Sequence, residues 1–141
     1  MVPVNLQVNL PNHERALFLG EQLQVYWLAL PGNALPAQKD YERKVDDTEV
    51  RAALATVDRL LTVGEPVPPR RMEKVTVKGG TLWEFKAPPR GKRIYRLLCH
   101  RHQDWEFYVA YAGEKKGQDL PQAWKDIAAQ RIRRSLGAGG P

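Results

Sequence analysis

Residues 82–117 read LWEFKAPPRGKRIYRLLCHRHQDWEFYVAYAGEKKG. Three runs within them, 82–86, 92–100 and 105–112, are rich in Trp, Phe, Ile, Tyr and Val, residues that suit a pleated, half-buried strand surface. The breaks, Pro88-Pro89-Arg90-Gly91 and residues 101–104, are short enough for hairpin connections. The stretch therefore predicts an antiparallel meander. Lys86, Arg90, Lys92, Arg93, Arg96, Lys115 and Lys116 would then crowd one compact sheet, a concentration of cations on a rigid platform.

On the N-terminal side, Val4, Leu6, Val8 and Leu10 alternate with polar residues and predict a half-buried strand at 3–10, ended by Pro11. Asn12 is a candidate N-cap, and Leu17, Phe18, Leu23, Tyr26, Trp27 and Leu30 follow at roughly helical spacing, which predicts a helix at 13–29. Residues 31–45 hold two prolines and a glycine and read as a loop with a short helical turn at 37–44. Asp46 and Glu49 form a capping box. Val50, Ala53, Leu54, Val57, Leu60 and Leu61 then trace one face of a helix at 48–62. Val75 and Val77 form a short strand or lead-in before the Gly79-Gly80 turn. Beyond the meander, Pro121 opens a helix whose apolar side is Trp124, Ile127, Ala128, Ile132 and Leu136 and whose other side carries Lys125, Arg131, Arg133 and Arg134. The expected architecture is α+β: an antiparallel sheet of three to four strands, two N-terminal helices packed on it, and a C-terminal helix. Residues 1–136 make one domain, and 137–141 a disordered tail. Leu17, Trp27, Leu54, Val57 and Leu61 would be buried between helices and sheet.

A chain of 141 residues with 43% hydrophobic content can bury a real core. No apolar run is long enough to span a bilayer, and the N-terminus lacks a signal-peptide pattern. The one cysteine, Cys99, excludes an internal disulfide and fits a reducing cytoplasm. Charge is unevenly spread. Residues 1–69 carry 6 Lys+Arg against 9 Asp+Glu, net −3, and residues 70–141 carry 16 against 7, net +9. That asymmetry points to a polyanion partner for the second half, nucleic acid first, with ordinary basic solubility as the bland alternative.

The run GTLWEFKAPPRGKRIYRLL, followed by YAGEKKGQDLP and a helix, resembles the RelE/HigB toxins of bacterial toxin–antitoxin systems, and most closely the phage-type HigB branch. The pattern Lys-Lys-x-Gln-x-x-Pro is met here by Lys115, Lys116, Gln118 and Pro121. The resemblance covers residues 72–136 by motif and the earlier part only by order of elements. It implies a RelE-like fold and a cytoplasmic ribonuclease that cuts messenger RNA on the ribosome, without metal or cofactor, and is neutralised by a cognate antitoxin. It also implies roles. Arg96 of Tyr95-Arg96-Leu97 would contact the scissile phosphate, Lys86 would assist proton transfer, and Lys115 or Lys116 would supply the basic residue after the last strand. Arg90, Lys92, Arg93, His100 and His102 would contact RNA. Some of these toxins place a tyrosine in the following segment, where this chain has Leu120-Pro121.

The chemistry can be weighed without the resemblance. RNA cleavage by its own 2′-hydroxyl needs a base, an acid and positive charge on the phosphorane. Arginine does not deprotonate near neutrality, so Arg93 and Arg96 serve only as electrostatic stabilisers. Lys86 can move a proton if burial or nearby cations perturb it, and His100 titrates in the useful range. Cys99-His100-x-His102 gives no metal site, because alternation puts the histidines on one face and the cysteine on the other. Trp83, Tyr95, Trp105, Tyr108 and Tyr111 are either core residues or base-stacking residues. The competing function is a non-enzymatic relative on the RelE/ParE fold: a nucleic-acid binder, a topoisomerase poison, or an inactive phage-derived protein.

Overall fold

From Val25 to Leu30 every side chain is buried, in an unbroken apolar run. Such a run suits a strand covered on both faces as well as it suits a helix. The computed structural model describes residues 15–44, 47–87, 93–116 and 119–136, without the side chains at 43, 44, 93, 115, 116 and 136. In it the expected helix at 13–29 is a hairpin: β1 (Ala16–Leu19) and β2 (Gln24–Trp27) pair antiparallel. Val25 and Trp27 face one core while Tyr26 and Leu28 face another. The helical spacing of these residues was a by-product of two strands separated by a turn.

The sheet has six strands in the order β1-β2-β6-β5-β4-β3, with β3 at Met72–Val77, β4 at Gly80–Lys86, β5 at Arg93–Gln103 and β6 at Glu106–Lys116. The last four form the expected antiparallel meander. β2 joins it parallel to β6, with Val25 opposite Phe107 and Trp27 opposite Val109. The expected all-antiparallel sheet of three to four strands is therefore a mixed sheet of six. The expected strand at 3–10, the tail at 137–141, and the caps Asn12 and Asp46 lie outside the described residues.

Helices cover both faces. α1 (Pro36–Lys44) extends the expected short turn, and α2 (Asp47–Val63) matches the expected helix closely. Ala37 and Tyr41 of α1, and Val50, Ala53, Leu54 and Val57 of α2, meet Phe85, Leu97 and Phe107 of the sheet. Leu61 is only partly buried there. α3 (Gln122–Leu136) lies on the opposite face, where Ala128 and Ile132 join Leu82, Leu98, Tyr108 and Ala110. The register of β5 and β6 shifts between Leu98 and Cys99, leaving Ala110 without a strand partner. Its carbonyl instead accepts a hydrogen bond from Arg131 at 2.9 Å, and the same guanidinium reaches Asp40 of α1 at 3.2 Å.

Asp58 of α2 fixes the β1–β2 turn. Its carboxylate accepts hydrogen bonds from the backbone N–H groups of Glu21, Gln22 and Leu23 at 3.1, 2.8 and 2.9 Å. A Cβ at Gly20 would sit 2.4 Å from the carboxylate carbon. Burial works to raise the Asp58 pKa, but the three backbone donors together hold it below the ordinary value. A depressed carboxylate stabilises the fold above its unfolded pKa, and that contribution is lost as pH falls through the folded value. Asp58→Ala should lower stability by about 1–2 kcal/mol through lost charged hydrogen bonds. In urea denaturation Asp58→Asn should flatten the acid limb below pH 3.8, the unperturbed value.

Candidate nucleic-acid site

The antiparallel register sets Lys86 of β4 opposite Arg96 of β5, and Arg96 opposite Gly113 of β6. It also sets Glu73 of β3 opposite Glu84 of β4. Glu84 and Lys86 share a face by alternation, and Arg96 is the diagonal neighbour of Glu84. Arg96 Nη1 donates to Glu84 Oε2 at 2.5 Å, and the two side chains are 1% and 3% exposed. Lys86 Nζ donates to Glu73 Oε1 at 2.6 Å and to the Pro69 carbonyl at 3.2 Å, and stands 3.9 Å from Glu84. Two directly opposed carboxylates repel, and the lysine lies between them.

Sequence reasoning thus named two cations that the register sets side by side but missed their surroundings. Lys86 was expected to have cationic neighbours, and its contacts include two carboxylates. Arg96 was expected on an open platform, and it is among the most buried side chains of the protein. Glu84 and Glu73 were overlooked because each is one charge in a strand of mixed pattern. The signal lay in register: Glu84 is two residues before Lys86, so the two must share a face.

α3 closes this part of the sheet. The Trp124 ring lies over Gly113, where an added Cβ would come within 2.7 Å of it, and also packs at 5.0 Å on Tyr111. Glycine at 113, the strand neighbour of Arg96, lets the indole settle there.

The other expected site residues scatter. Lys115 pairs with Ile94 and Lys116 with Arg93 in the β5–β6 ladder, while their side chains and that of Arg93 are outside the described residues, as are Arg90 and Lys92 altogether. His100 and His102 lie four and six residues along β5 from Arg96, about 13 and 20 Å at strand rise, so they do not converge with it. They share the face of Tyr108, whose ring centroid is 6.1 Å from that of His102. Cys99 is buried in the opposite core, and burial, then the Glu84 charge, pushes its thiol well up. Tyr108 donates to Glu106, and burial followed by that hydrogen bond raises its pKa.

The fold and its paired cations define an α+β protein with a basic second half and helices on both sheet faces. The sequence pattern of the phage-derived protein Gp49-like family (DUF891) matches residues 40–133, and the chain belongs to that family, which is RelE/toxin-like. No curated protein and no solved structure compared with the chain gives a match. No helix among the described residues is long and apolar enough to cross a membrane.

Removing one member of a buried ion pair leaves the other charge buried and poorly compensated. Glu84→Ala or Arg96→Ala should each cost about 3–5 kcal/mol, while Glu84→Leu with Arg96→Met should recover most of that loss in a urea double-mutant cycle. Burial, then the neighbouring His102, holds His100 below the ordinary value of 6.5. The unfolded chain then binds a proton first on acidification, so stability should fall as pH drops through 6.5, and His100→Gln should flatten that limb.

Proposed function

We propose that the protein is the toxin component of a type II toxin–antitoxin system, a HigB-like endonuclease that cleaves mRNA on the ribosome without metal. The observation that carries this reading is the meeting of Lys86 and Arg96, from adjacent strands, around the Glu84 carboxylate. Guanidinium and ammonium groups that grip a carboxylate can grip a phosphate with the same donors.

In this reading the scissile phosphate displaces Glu84 from Arg96, which then stabilises the charge that develops on phosphorus. The 2′-hydroxyl attacks phosphorus as its proton passes to the freed Glu84. Lys86 delivers a proton to the departing 5′-oxygen, with Lys115 and Lys116 as further phosphate contacts. The products are a 2′,3′-cyclic phosphate and a 5′-hydroxyl. Burial of Arg96 means that the first turn of α3, with Trp124, lifts from Gly113 when the ribosome positions the message. A cognate antitoxin with acidic and apolar groups would complement the basic second half.

One observation favours a different reading. Arg96 is buried and engaged by the Glu84 carboxylate, as expected of a non-enzymatic relative that keeps the fold and binds nucleic acid or another target. Translating ribosomes separate the two. The wild-type protein should cut mRNA and leave cyclic phosphate ends, and Lys86→Ala and Arg96→Lys should each slow cleavage by about 100-fold with unchanged circular dichroism. Intact message in the presence of folded wild-type protein would leave the non-enzymatic reading.

A further inference from the structure

We propose that a separate row of side chains, Lys74, Trp83, Arg101 and Trp105, is a stacking platform for single-stranded RNA. Lys74 of β3 stands directly opposite Trp83 of β4. Trp83 is opposite Cys99 of β5, two residues before Arg101, and Trp105 occupies the turn into β6. The Lys74 ammonium lies 5.4 Å from the Trp83 ring centroid. The Arg101 guanidinium lies 5.5 Å from Trp83 and 5.1 Å from Trp105. Cation, indole, cation and indole therefore alternate across neighbouring strands about 4.8 Å apart. Both tryptophans rest against the core of α1 and α2, so the row lies on the sheet face opposite Arg96 and Glu84.

The row differs from the Lys86–Arg96 pair in what its charges meet. Lys74 and Arg101 are exposed, and neither has a carboxylate partner among the described residues. Arg101 Nε donates to the Asp104 carbonyl at 2.6 Å, which holds the guanidinium plane in place on an exposed side chain. Trp83 already carries both cations over its ring, so a base stacks at the free end of the row, on Trp105 beside the groove lined by Gln22 and Gln103, and the adjacent cations receive phosphates. An acidic peptide would satisfy the cations but leave the half-buried Trp105 ring unused. Glu21, Asp104 and Glu106 border the Trp105 end of the row, so phosphates lie toward Lys74 and only a base continues the stack at Trp105. The choice of RNA rests on the function proposed above; the stacking surface itself does not.

Fluorescence anisotropy with a labelled ten-nucleotide oligoadenylate, free of ribosomes, tests the platform. The wild-type protein should bind with quenching of tryptophan emission. Trp105→Ala and Arg101→Lys, the latter keeping its charge, should each weaken binding about tenfold, with fold checked by circular dichroism. Trp105→Phe should retain most of the affinity. Lys74→Ala should reduce the salt dependence by about one phosphate contact. Three results would each overturn the proposal: no binding by the wild type, affinity unchanged in Trp105→Ala and Arg101→Lys, or displacement of the RNA by polyglutamate as readily as by unlabelled RNA. Because cleavage is not read, an inactive wild type that still binds through this row leaves the platform standing, and an active enzyme that ignores oligoadenylate removes the platform alone.

Discussion

The buried contact between Arg96 and Glu84 constrains everything around it. Two opposite charges that are 1% and 3% exposed each depend on the other's nearness to offset lost hydration. Both sit on strands, so the β4–β5 register cannot slip by a residue without sending one of them to the wrong face. The neighbouring strand must accept a helix close overhead, and Gly113 with Trp124 meets that need. Lys86 and Glu73 extend the pair outward, so that two cations and two carboxylates form one group without net charge. The surplus of positive charge in the second half therefore resides elsewhere.

That distinction separates charge count from charge availability. Residues 70–141 carry a net +9, and this number alone points to a polyanion. It does not reveal which cations are already occupied. Arg131 is tied to Asp40 and to the Ala110 carbonyl, Arg51 to Asp47, and Lys86 to Glu73. Lys74 and Arg101 are instead held by aromatic rings, an arrangement that orders a cation without neutralising it.

The meander and α2 were legible in the sequence because each is a local pattern. Strand-forming residues between short breaks mark β4, β5 and β6, and a strict i, i+3, i+4 series marks α2. The β1–β2 hairpin was misread because its signal is not local. Leu17, Phe18, Tyr26 and Trp27 fit helical spacing by coincidence, and the group that secures the turn, Asp58, lies more than thirty residues away. The parallel partner of β2 is more distant still. Of the candidate site, the two cations were legible from their motif, whereas Glu84, the depth of Arg96 and the row through Trp83 and Trp105 arise only once strands are aligned.

The parallel β2–β6 pairing also sets an order of assembly. The β3–β6 meander can form by successive short-range hairpins, each closing a small loop. β2 has no docking edge until β6 exists, and joining Tyr26 to Tyr108 closes a very long stretch of chain. The β1–β2 hairpin is thus synthesised before the strand it docks on, so the buried side chains of β2 wait for β6 before the sheet can cover them.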